Sequence, residues 1–158
     1  MFEELSQHIL DIAMNSLSAN AKNVQISIRE SRRLDRLVLS VRDDGCGMDA
    51  ATLEKVLAQR WSSKSKRRKP IGLGLAFLRQ ASEMCDGRFQ VRSAPGRGTL
   101  VTASMRLSHI DRPPLGDLSA TILALCAADK KPVVQLNYQS DGKKFCFDSR
   151  ELTTKGAN

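Results

Sequence analysis

Asp11 and Asn15 stand four residues apart in the segment DIAMN and share one face if that segment is helical. An acid and an amide at this spacing make either a surface hydrogen-bonded pair or a general base beside a metal ligand. A hard cation takes oxygen donors, and an amide supplies one without adding charge. A second group lies in VRDDGCGMDA, where Asp43 falls at the end of an apolar run and is followed by Gly45, Gly47 and Met48. A carboxylate at a strand end can accept a hydrogen bond from an exocyclic amine such as that of adenine, and glycine lets the backbone approach a ligand with no side chain in the way. A third group is KPIGLGLAFL, in which Gly72 and Gly74 open a helical pattern. The first N–H groups of a helix lack internal partners, and its dipole favours an anion there. Each glycine-rich loop alone is weak evidence, because tight turns also use glycine. Together they are expected to face one nucleotide, with the basic run KSKRRK at 64–69 between them to close over phosphates.

These residues need elements to hold them. Leu5, Ile9, Ile12, Ala13, Ser16 and Leu17 recur at helical spacing across 3–21, and Asp11 and Asn15 lie off that stripe. Alternation predicts strands at 23–28 and 36–42, joined by the polar turn RESRRLDR. A short helix is expected at 50–58 with Asp49 as its N-cap. Residues 59–70 carry no periodicity and read as a mobile basic loop. A helix follows at 72–85, then a β-hairpin over 87–107 that turns at 94–98. The double proline in SHIDRPPLGD marks a boundary. Beyond it LSATILALCAA reads as an apolar helix, with core its expected role, and PVVQLNY and KKFCFDS as strands joined at Asp141-Gly142. The strands pair as hairpins instead of alternating with helices. The order therefore predicts a two-layer α/β sandwich, a mixed sheet with helices on one face, and argues against a doubly wound dinucleotide fold.

The 158 residues suffice for one domain with a core and a small appendage. Hydrophobic content is 41% and charged content 27%, with no apolar run long enough to span a bilayer. The start MFEELSQHIL is acidic and polar, unlike a secretory signal, so a cytoplasmic location is expected. Cys46, Cys85, Cys126 and Cys146 form no CxxC pair and there are two histidines, which argues against zinc and for reduced thiols. The net charge of +8 suits phosphates or acidic partners, whereas 4% aromatic content leaves few platforms for stacking nucleic-acid bases.

Taken in order, DIAMN, DDGCGM, GLGLA and GRGT resemble the motifs of the GHKL superfamily, which includes gyrase, heat-shock-type chaperones, histidine kinases and MutL. The resemblance covers about two thirds of the chain and implies a Bergerat-type ATP-binding domain over 1–108, with a lid at 59–70 and an appendage at 109–158. It implies ATP and Mg2+ as cofactors, with Asn15 as the metal ligand and Asp43 on the adenine amine. Gly45, Gly47 and Met48 would shape the adenine pocket, with Ala19 and Thr99 beside it. Ile71, Gly72, Leu73, Gly74, Leu75 and Lys64 would meet the phosphates. Asp11 occupies the place where many members carry a water-activating glutamate, one methylene longer. The resemblance to stand-alone anti-sigma regulatory kinases implies a protein partner, a phosphoacceptor or regulator, or a homodimer. Slow ATPase action and a non-catalytic nucleotide-dependent module stay open beside the kinase reading. His8 lies inside the nucleotide-binding helix, so a phosphoacceptor role is not expected of it, and His109 is expected to cap or pack the junction with the appendage.

Overall fold

The computed structural model describes residues 4–58 and 73–155. Helix α1, Leu5–Ser18, starts where the Gln7 side chain accepts the Glu4 N–H at 3.3 Å. Its stripe of Leu5, Ile9, Ile12, Ala13 and Leu17 is buried as the spacing predicts. The chain then turns through Asn20, at φ 62, into β1, Asn23–Ser31. A polar turn leads to β2, Arg36–Asp43, antiparallel to β1 from Val24 opposite Asp43 to Ser31 opposite Arg36.

Helix α2 is Ala50–Ala58, opened by Asp49, whose carboxylate accepts the Thr52 N–H at 2.7 Å. Helix α3 is Leu73–Met84. The hairpin of β3, Phe89–Ala94, and β4, Gly98–Arg106, follows, and β4 pairs antiparallel with β2. Helix α4, Leu118–Cys126, is capped by Asp117 through the Ala120 N–H at 3.0 Å. Strands β5, Val133–Ser140, and β6, Lys143–Asp148, turn at Asp141 and Gly142, both at positive φ, before the short α5, Arg150–Lys155.

The six strands form one mixed sheet in the order β3-β4-β2-β1-β5-β6. On one face Val24, Ile26, Leu39, Val41, Val101, Ala103, Val134 and Leu136 are buried beneath α1, α3 and α4. On the other, Asn23, Gln25, Ser27 and Arg29 are exposed. This is the two-layer α/β architecture the sequence predicts. Its helix and hairpin beyond the double proline do not stand apart, because β5 runs parallel to β1, with Val24 opposite Val134 and Ile26 opposite Leu136. The same segment satisfies both ends of α1. The Leu5 and Ser6 N–H groups donate to the Pro114 and Leu115 carbonyls at 2.9 Å, and Lys130 Nζ donates to the Leu17 carbonyl at 2.6 Å. Among the described residues no helix is long and apolar enough to cross a membrane.

Candidate functional site

Asp43 is the last residue of β2, and its carboxylate is fixed from two sides. Oδ2 accepts from Ser16 Oγ on α1 at 2.6 Å, and Oδ1 accepts from the Gly45 N–H at 2.9 Å. Each bond leaves its oxygen further acceptor capacity. The loop after Asp43 is fastened at several points. Cys46 N–H donates to the Ala19 carbonyl at 2.9 Å, at the C-terminal end of α1. Asp44 turns outward and accepts the Lys22 and Asn23 N–H groups at 2.8 and 2.9 Å. Partial burial opposes ionisation there, but the Asn23 and Lys22 donors prevail and hold the Asp44 carboxyl below the usual range.

The loop also locks onto the β3–β4 hairpin. Gly47 has φ +69, and a Cβ built there would lie 1.9 Å from the Ala94 carbonyl oxygen, so the position requires glycine in both conformation and space. Met48 N–H donates to Ser93 Oγ at 2.8 Å, and Ser93 Oγ shares a 2.8 Å hydrogen bond with Thr99 Oγ1. Thr99 thus stands directly opposite Asp43 in the β2–β4 register.

These contacts frame a cavity of about 590 Å³ between α1, α2, the start of α3 and the end of the sheet. Ile12, Met48, Val56, Leu75 and Val101 make apolar walls, and Asn15, Ser16, Asp43, Thr52, Lys55 and Thr99 supply the polar groups. A hollow with apolar walls and a few convergent polar groups suits a flat organic ligand held at one polar edge.

Of the residues singled out from the sequence, the fold brings Asn15, Ala19, Asp43, Gly47, Met48, Leu75 and Thr99 into the cavity wall. Gly45 stands behind Asp43. Asp11 does not line the cavity and faces the first turn of α3, where a Cβ on Gly74 would lie 2.0 Å from Asp11 Oδ2. Close approach of α1 to α3 explains that glycine. Leu73 begins α3. Lys64, Ile71, Gly72 and the lid at 59–70 lie outside the described residues. Among the described residues no group of three His, Cys, Asp or Glu could hold a metal ion.

Sequence reasoning missed Ser16, Thr52 and Lys55 as parts of the site. For Ser16 a signal existed: it is the one polar residue in the apolar stripe of α1, and a buried hydroxyl needs a partner. His8 is fully buried in α1, where desolvation lowers its pKa to about 4 and the nearby Asp11 opposes the shift. Its burial keeps it from reaching a partner protein. His109 Nδ1 accepts the Asp111 N–H at 3.1 Å beside the double proline.

Comparison with known proteins gives the site a context. A family model described as "Histidine kinase-, DNA gyrase B-, and HSP90-like ATPase" matches residues 1–109. The non-motile and phage-resistance protein of Caulobacter vibrioides is 30% identical over 118 residues, covering 70% of this chain and 14% of that protein. The sensor protein kinase FleS of Pseudomonas aeruginosa is 34% identical over 99 residues, covering 63% of this chain and 24% of FleS. The chain thus spans only a fraction of the curated relatives it matches. Among solved structures, the N-terminal domain of a DNA repair protein superposes with a TM-score of 0.62 over 92% of this chain and 52% of that one. The MutL ATPase domain of Aquifex aeolicus complexed with ADP gives 0.56 over 94% of this chain and 64% of that one. Both are 16% identical in sequence, so they show a shared fold.

Proposed function

The chain belongs to the family of histidine kinase-, DNA gyrase B- and HSP90-like ATPases, and on that premise we propose that the cavity at the end of β2 binds ATP together with Mg2+. The observation that carries this is the Asp43 carboxylate, held by Ser16 and Gly45 at the cavity wall with acceptor capacity to spare for the exocyclic amine of adenine. Apolar side chains such as Met48 and Val101 suit the faces of a purine, while Ala19 and Thr99 border it. Asn15, on the α1 turn before Ala19 and in the cavity wall, would supply an amide oxygen to the cation. The donor set fits a cation that arrives with the nucleotide, since phosphate oxygens and water would complete what one amide begins. Bound there, Mg2+ would offset phosphate charge. Leu73, Gly74 and Leu75 at the start of α3, with Gly72, Ile71 and Lys64 before them in the sequence, are proposed to meet the phosphate chain.

For the fate of the γ-phosphate, the preferred reading is transfer to a partner protein in a regulatory, cytoplasmic setting. FleS, at 34% identity, is a sensor protein kinase, and burial withholds His8 from any such exchange. The second reading is a slow ATPase switch with Asp11 orienting water, favoured by the approach of Asp11 to the α3 turn that is proposed to bind phosphate. A module that binds nucleotide without chemistry is the alternative to both.

Calorimetry with Mg-ATP on the wild type and Asp43→Ala tests the reading. Binding that weakens by about a hundredfold or more in the variant is expected, since a buried charge-assisted bond contributes about 3 kcal/mol. Absence of binding by the wild type at about millimolar ATP, the weak end of the affinity scale, refutes the cavity as a nucleotide site. Labelled γ-phosphate appearing on an extract protein supports transfer, its release as free phosphate supports the switch, and neither outcome alongside binding supports the module.

A further inference from the structure

The sheet ends on β6, and among the described residues no strand pairs with its outer edge. The strand has two distinct faces. Phe147 stands opposite the buried Leu136, so Phe145 and Phe147 share the helix side. Lys144, Cys146 and Asp148 share the open side. Phe145 is 58% exposed, and near it Leu123 and Leu152 are 66% and 53% exposed at the mouth of an apolar cavity of about 460 Å³. An unpaired edge beside a cluster of exposed apolar side chains is the feature that natural sheets ordinarily blunt or cover.

We propose that β6 pairs antiparallel with β6 of a second copy of this chain, about a two-fold axis at Cys146. A two-fold normal to a continuous sheet opposes only residues on the same face, so the axis must pass through a residue. With Cys146 on it, Lys144 opposes Asp148 of the second copy, and Phe145 opposes Phe147 of the second copy, each twice by symmetry. Moving the axis to Phe145 sets Lys144 against Cys146. Moving it to Lys144 sets like charges together, and moving it to Phe147 leaves Lys144 without an acid. One register alone therefore matches both charge and aromatic character. Asp148 already accepts from the Arg150 N–H, Nε and Nη2 and from Gln135 Nε2, which fixes its carboxylate on the open side of the strand, where Lys144 of the second copy would join the charged cluster. Lysines on an edge strand ordinarily deter pairing; here Lys144 has an acid to meet, so it selects a register. The opposite edge, β3, offers Arg92 and no acid within the strand to oppose it.

Sedimentation of the full chain tests the pairing independently of nucleotide. A reversible dimer is expected, with a dissociation constant of about 10 µM for so small an interface. Lys144→Glu, an exposed and fold-neutral change, should weaken it about a hundredfold by placing like charges opposite one another. A short bis-maleimide should link the wild type and Cys46→Ser into dimers but leave Cys146→Ser monomeric. A wild type that stays monomeric to about 1 mM overturns the proposal. So does a dimer indifferent to Lys144→Glu, or one that does not crosslink through Cys146.

Discussion

Two cavities among the described residues are of comparable size, about 590 and 460 Å³, and opposite in construction. The one at the end of β2 is framed by backbone locked through polar bonds, with Ser16 and Gly45 fixing Asp43, and Ser93 tying Met48 to Thr99. The one beneath α4 is framed by side chains such as Leu118, Ile122 and Phe147. Its tyrosine hydroxyl, on Tyr138, is already committed to Glu30 at 3.1 Å. Volume alone therefore says little. Polar groups held in place before a ligand arrives convert a hollow into a selective site, whereas apolar walls alone yield surface to be covered.

The contrast can be broken most forcefully at Gly47. Gly47→Ala places a Cβ 1.9 Å from the Ala94 carbonyl in a left-handed conformation, and is expected to lower stability by more than about 3 kcal/mol or to force the loop off the hairpin. Denaturant unfolding and calorimetry together read which of these happens. Nearly as large an effect is expected at Leu125, fully buried in α4. Leu125→Ala should lower stability by about 3 kcal/mol yet leave nucleotide affinity within about twofold, because sites with no shared partners act independently. A parallel fall in affinity would show that the two regions are not separable.

His8 belongs to neither cavity and gives a smaller effect that depends on pH. Its folded pKa, about 4, lies below the unfolded 6.5. The contribution of the neutral His8 imidazole to stability is therefore full above pH 6.5, falls as the unfolded chain takes up the proton, and is gone only below pH 4. Between pH 7 and pH 5 the loss should be about 2 kcal/mol, and urea unfolding of His8→Gln should show a flatter profile over that interval. The smallest effect is expected at Ser93. Ser93→Ala removes the acceptor for Met48 N–H and the partner of Thr99, for about 1 kcal/mol of stability and a several-fold weaker ligand.

Much of the β2 end was legible because its determinants are local. Gly47 and Gly74 advertise close approach, and Asp43 follows directly on an alternating strand. Ser16 and Lys55 were not legible, because their place in the wall depends on how α1 and α2 sit on the sheet. The hairpin of β5 and β6 could be read from Asp141-Gly142 and alternation. Its partner could not, since parallel pairing with β1 leaves no turn to betray it. The contact of Asp11 with α3 was equally hidden: spacing puts Asp11 near Asn15 but cannot say which neighbour crosses there.

That parallel pairing sets a timetable. Gln25 and Gln135 bond side chain to side chain at 2.8 Å although 110 residues separate them. During synthesis at about 5–20 residues per second, β1 would wait on the order of 10 s for its second neighbour to emerge. The Pro114, Leu115 and Lys130 groups that satisfy the ends of α1 are late arrivals as well. Every residue of the β2 site is thus made before the framework beneath it can close. A growing chain presents its ligand-facing loops first and acquires their rigid support last.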